Sequence, residues 1–204
     1  EMAALVKKDP TYNKWQLVLA GVYNALEKSK KAKKIYHTIL KKDPSNENAC
    51  ISLNNIYIEN KKFKQSLNLL ERCRAASTSS EKKVNFLFYT VKSHIQNNQK
   101  KIAVKLLNKI IIKDPTFQEA WLTLGLLLEE EKKLTKAQEV YERAIKNGSD
   151  GYLILSRLTN IMIVKGKVKE AIPYLTRLVD LEPDNLNSLV KLGIAYSDAK
   201  KLGL

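Results

Sequence analysis

Two histidines, His37 and His94, and two cysteines, Cys50 and Cys73, are the side chains best suited to ligate a soft metal or to act as a nucleophile near neutral pH. A zinc site needs three or four such ligands, usually paired a few residues apart. Neither histidine has Cys, Asp or Glu neighbours at that spacing, so the sequence predicts no metal and no cofactor. A catalytic nucleophile needs an adjacent base and a group to orient that base. No such set is recognisable, and the chain is expected not to be an enzyme. Glu129-Glu130-Glu131 is a carboxylate run, but at the end of a helical pattern it reads as a solvated face. Lys165-Gly166-Lys167 holds a lone glycine and is a turn, not a phosphate loop. Asn147-Gly148-Ser149 fits a glycosylation sequon, which matters only in a secreted protein. Both cysteines fall on apolar helix faces. They are expected to be buried, reduced and small-hydrophobe-like, because two cysteines make no disulfide framework.

The elements that carry these residues are helical. Apolar residues recur three and four apart, glycine and proline are scarce, and period-two alternation is hard to find. No apolar run approaches the length of a membrane span. The formal net charge is +15, supplied almost wholly by lysine. That excess suits an acidic or phosphate-bearing partner, or lysines filling solvated positions. The start, Glu1-Met2-Ala3-Ala4, has no signal-peptide character, and a cytoplasmic location is expected.

The helical pattern repeats. Asp9-Pro10 and Asp43-Pro44 stand one period apart, and Asp114-Pro115 and Glu182-Pro183 two periods apart. Ala32 and Ser66, then Ala103, Ala137 and Ala171, keep the same beat. So do Tyr36 and Leu70, then Leu107, Tyr141 and Leu175. The spacing is about 34 residues, with a three-residue insertion expected at Ser77 to Ser80. The fullest unit is Trp121-Leu122-Thr123-Leu124-Gly125, followed by Leu128, Ala137, Tyr141 and Ala144. This pattern resembles the tetratricopeptide repeat (TPR) family. The resemblance implies an all-α, right-handed superhelical solenoid of stacked antiparallel helix pairs, A and B. Repeats are expected at 13–46, 47–80, 84–117, 118–151 and 152–185. Residues 1–12 read as the tail of a preceding repeat, and 186–204 as the first helix of a further one. Leu189, Leu192-Gly193 and Tyr196 on that last helix expect a covering partner, so the chain is expected to belong to a longer array and to associate through this end.

In the family the A helices line a concave groove that binds a partner. The matching positions here point to Leu17, Ile51, Asn55, Phe88, Lys92, Leu122 and Asn160 as a groove for an apolar helix or extended peptide of another protein. Asn48 and Asn85 would flank it. The carboxylate clamp of chaperone-binding members is not matched, because Ile51 precedes Asn55 and Phe88 precedes Lys92 where that clamp needs polar residues. The A–B turns are rich in lysine: Lys61 and Lys62, Lys132 and Lys133, Lys165 and Lys167. Such a basic edge is the alternative site, for RNA or another anionic surface. Arginine is rare and no aromatics interleave, which favours a protein partner over nucleic acid.

Overall fold

The computed structural model describes residues 13–201. The expected tail of a preceding repeat, 1–12, lies outside the described residues. Eleven helices follow one another among the described residues, with no strand. They are α1 (Asn13–Ala25), α2 (Ser29–Lys42), α3 (Glu47–Glu59), α4 (Phe63–Ala76), α5 (Ser80–Gln96) and α6 (Lys100–Lys113). Then come α7 (Gln118–Glu130), α8 (Leu134–Lys146), α9 (Tyr152–Val164), α10 (Val168–Leu181) and α11 (Leu186–Lys201). Two compact units hold them, divided between Leu106 and Leu107.

The turns explain why neighbouring helices reverse. Between the two helices of each pair the chain ends in the same left-handed cap. Glu27, Lys61, Asn98, Lys132 and Gly166 occupy equivalent places with φ of 57°, 55°, 56°, 59° and 73°. The next residue's N–H reaches back to a carbonyl five residues earlier: Lys28 to Tyr23 at 2.8 Å, Lys62 to Tyr57 at 2.7 Å, Gln99 to His94 at 2.8 Å, Lys133 to Leu128 at 2.9 Å and Lys167 to Met162 at 2.8 Å. This double closure satisfies carbonyls that a helix end leaves open. Only one of the five positions is glycine, so the other four hold a Cβ in a region L-residues avoid. Lys61→Gly and Lys132→Gly should therefore each raise stability by about 0.5–1 kcal/mol, read as a higher urea midpoint. A lower midpoint for both would show that backbone strain is not what these turns store.

The starts of α3, α5 and α11 are held by side-chain caps, whereas those of α2, α4, α7, α8, α9 and α10 are not. Asn46 accepts from the Ala49 N–H at 3.1 Å, Ser79 from Lys82 at 3.2 Å and Asn185 from Ser188 at 3.2 Å. The Asp-Pro corners are built the same way. Asp43 accepts from the Ser45 N–H at 3.1 Å, and Asp114 from the Thr116 N–H at 3.1 Å.

In the first unit α1, α2, α3 and α4 share one core of Ala20, Ala32, Tyr36, Ile39, Ala49, Leu53, Leu70 and Phe86, the last from α5. A polar knot sits inside it. Ser66 donates to Asn54 Oδ1 at 2.6 Å and lies 2.8 Å from Ser93, joining α3, α4 and α5 through three fully buried side chains. In the second unit Trp121, Tyr141, Ile154, Leu155, Leu158 and Leu175 are buried. The Trp121 indole donates to the Pro115 carbonyl at 2.8 Å, fixing the Asp-Pro corner under α7.

One expectation changes. Cys50 and Cys73 are buried as expected but not reduced: they form a disulfide between α3 and α4, with Cα atoms 6.6 Å apart. Antiparallel helices of one pair brought the two inner faces within bridging distance, which sequence spacing alone does not show. The three-residue insertion expected at Ser77 to Ser80 falls at the start of α5. Ser79 caps and α5 begins at Ser80, so the insertion becomes an added turn and α5 has 17 residues against 13 in α3. Pro173 lies in the second turn of α10. The helix continues because Ala171, Leu175 and Leu178 are buried around it, outweighing one missing hydrogen bond.

Candidate functional site

The groove positions divide by exposure. In the first unit Leu17 and Ile51 are half-buried and Asn55 is exposed. Phe88 is only 5% exposed, and the exposed Lys92 ammonium lies 4.9 Å from its ring and 4.9 Å from that of Tyr89. Phe88 is thus covered by its own neighbours through burial and a cation–π contact. Asn85 is likewise engaged, donating to Glu47 at 2.9 Å. In the second unit Leu122 and Asn160 are half-buried.

The second unit contains a formed cleft at such positions. Between α9, α10 and α11 lies a cavity of about 280 Å³. Ile163, Val164, Val168, Ile194 and Ala195 wall it, and Asn160, Lys191 and Asp198 rim it. Lys191 Nζ donates to Asn160 Oδ1 at 2.7 Å. Asn160, Ile163 and Ile194 were legible from the repeat register, whereas Lys191, Val168 and Asp198 were not among the sequence candidates. Val164 and Asp198 are the last inward positions of their A helices, a signal present in the register. Lys191 is held at the rim by its hydrogen bond to Asn160. The outer end of α11 is apolar and exposed at Leu186, Leu189, Val190 and Tyr196.

The lysine edge is unevenly available. Lys61, Lys62 and Lys132 are exposed. Lys133 pairs with Glu131 at 2.6 Å, Lys167 with Glu170 at 2.9 Å, and Lys165 donates to Gln138 at 2.9 Å. The carboxylate run is also divided. Glu129 accepts from the Tyr141 hydroxyl at 2.6 Å and lies 3.6 Å from Arg157, while Glu131 serves Lys133. Burial first, then the Glu129 hydrogen bond, pushes the Tyr141 phenol pKa far up, so it remains a donor. Among the described residues no group of His, Cys, Asp and Glu could hold a metal ion. His37 instead meets the Tyr57 hydroxyl at 3.2 Å, and His94 meets Gln99 at 2.7 Å. Among the described residues no helix is long and apolar enough to cross a membrane.

Residues 90–152 match the family pattern described as tetratricopeptide repeat. Over that stretch the chain is similar to the tetratricopeptide repeat (TPR) family, and its helix pairs have the TPR fold. TPR proteins of known structure share its fold. The P. aeruginosa PilF protein superposes with a TM-score of 0.60 at 16% identity, covering 97% of this chain and 86% of that one. YrrB, described as a TPR protein with an unusual peptide-binding site, superposes at 0.51 and 16% identity, covering 93% and 96%. A curated relative, the protein O-mannosyl-transferase TMTC1 of Mus musculus, is 24% identical over 166 residues. The chain spans 18% of that relative's length. The TPR fold is generally a scaffold for protein–protein interaction rather than a catalytic one.

Proposed function

We propose that this TPR chain binds a partner protein by taking the apolar face of a helix, or an extended apolar peptide, into the cleft between α9 and α11. One observation carries the reading: a formed cavity with aliphatic walls and an amide–ammonium rim at groove positions of the repeat. Aliphatic walls gain by excluding water from an apolar side chain. The rim groups can exchange their mutual hydrogen bond for bonds to a peptide's carbonyls and amides. In the first unit Leu17, Ile51 and Asn55 offer further, more polar contact surface. The chain acts through binding alone and carries no reaction of its own. In a protein of the TMTC1 kind, a stretch like this one would recruit partners for an activity housed elsewhere. The lysine edge is the weaker alternative, since Lys133, Lys165 and Lys167 are already engaged. As to location, the Cys50–Cys73 disulfide favours an oxidising compartment over the cytoplasm.

A displayed peptide library panned against the chain tests this. Selected peptides should be apolar or amphipathic, and Ile194→Lys should abolish their binding while leaving the helical circular-dichroism signal intact. Ile194 is 55% exposed, so the substitution costs the fold little. Binding undiminished by Ile194→Lys, or selection of acidic peptides whose binding collapses with salt, would refute the cleft as the site.

A further inference from the structure

We propose that a second cleft, between α2, α3 and α4 of the first unit, binds the phosphate group of a small organic phosphomonoester. The cavity holds about 300 Å³, at the small end of ligand-sized pockets. It shares no residue with the α9–α11 cleft, and the scaffold function makes no use of it.

Six polar side chains converge there: His37 and Lys41 from α2, Tyr57 from α3, and Gln65, Asn68 and Arg72 from α4. No carboxylate lines the cleft. Among the described residues Lys41 and Arg72 make no ion pair, although Arg74, two residues on, is held by Glu71 at 2.7 Å. Two full positive charges thus face one concavity with no counter-charge in it. Burial raises the Tyr57 phenol pKa, with Arg72 opposing, so its hydroxyl remains protonated; it meets His37 Nε2 at 3.2 Å and donates to the ligand by exchanging that bond. A guanidinium, an ammonium, a phenol and two carboxamides offer more donors than the two oxygens of a carboxylate accept, while a phosphate dianion presents three oxygens and the matching charge. Leu40 and Leu69 line the same cavity and give the organic part of the ligand an apolar wall. The Cys50–Cys73 bridge holds α3 against α4 beside it, so the donors from both helices keep their spacing.

Calorimetric titration of the full chain with phenyl phosphate tests the assignment. Saturable binding is expected, weakened about tenfold by Arg72→Gln and about tenfold by Lys41→Gln, as loss of a charged hydrogen bond implies. Lys61→Gln, outside the cleft, should change nothing. Inorganic phosphate should bind more weakly than the ester, and benzoate more weakly still. All three variants alter exposed side chains, and unchanged helicity confirms that they fold. Absence of saturable binding overturns the proposal, as does equal weakening by Lys61→Gln. Benzoate binding as tightly as phenyl phosphate would make the site one for carboxylates. A phosphoserine peptide binding more than tenfold tighter than phenyl phosphate would move the ligand from a small molecule to a protein.

Discussion

Gly125→Ala lowers the stability of the chain by about 2 kcal/mol, a fall of about 4–8 °C in the melting temperature. Alanine at a helical position would ordinarily stabilise by close to 1 kcal/mol, so the expected sign is the reverse of the propensity rule. A Cβ on Gly125 would stand 2.2 Å from Tyr141 Cε1 and Cζ and 2.5 Å from its hydroxyl oxygen. Tyr141 has no room to yield. It is fully buried, and its hydroxyl is tied to Glu129. The other repeats show how the conflict is relieved. Where the A helix carries a small residue, Ala20 or Gly125, the B helix carries tyrosine, Tyr36 or Tyr141. Where it carries Asn54 or Thr159, the B helix carries Leu70 or Leu175. Tyr141→Leu should therefore rescue Gly125→Ala, with a coupling of about 1–2 kcal/mol in a double-mutant cycle. Thermal melts followed by circular dichroism read all four corners. Strictly additive losses would show that the two residues do not share one volume.

Removing the Cys50–Cys73 disulfide is expected to cost about 3 kcal/mol, because the bridge closes a loop between cysteines 23 apart in sequence. The melting temperature of Cys50→Ala/Cys73→Ala should fall by about 6–12 °C. Prolonged reduction of the unsubstituted chain should produce nearly the same fall, since both side chains are buried and alanine leaves only small voids. The free-thiol count, taken in denaturant before reduction, should be zero. Two titratable thiols in the freshly purified chain, with no response to reductant, would restore the reduced state expected from sequence. Comparing the double variant with reduced parent also separates the loss of the bridge from the loss of sulfur packing.

Much of the fold was legible before any coordinate. The beat of Ala, Tyr and Leu positions reports which helix faces meet, because a buried stripe must recur every three to four residues along a helix. The Asp-Pro pairs mark helix ends, since the residue before proline is driven from the helical region. The turns were less legible. Lysine at Lys61 and Lys132 gives no sign of a left-handed residue, and the reach-back hydrogen bonds that hold it there are made by the backbone. Likewise, Ser79 and Ser80 look alike in sequence, yet one caps and the other opens α5.

The proposed site was legible only as a set of register positions. Phe88 and Ile194 both stand at groove positions of their A helices, the fifth and the ninth, yet Phe88 is covered while Ile194 walls a cleft. What separates them is the bulk and charge of the neighbours: Lys92 lies over the ring of Phe88, whereas at Ile194 the adjacent helix offers only the aliphatic side chains of α9 and the Asn160 rim. By itself, then, the sequence determined the helix class and the repeat period, since each depends on local periodicity. Only the tertiary structure decided which inward residues stay open, which lysines are free and that two cysteines meet. These follow from distances between side chains far apart in the chain, and such distances exist only once the helices have packed.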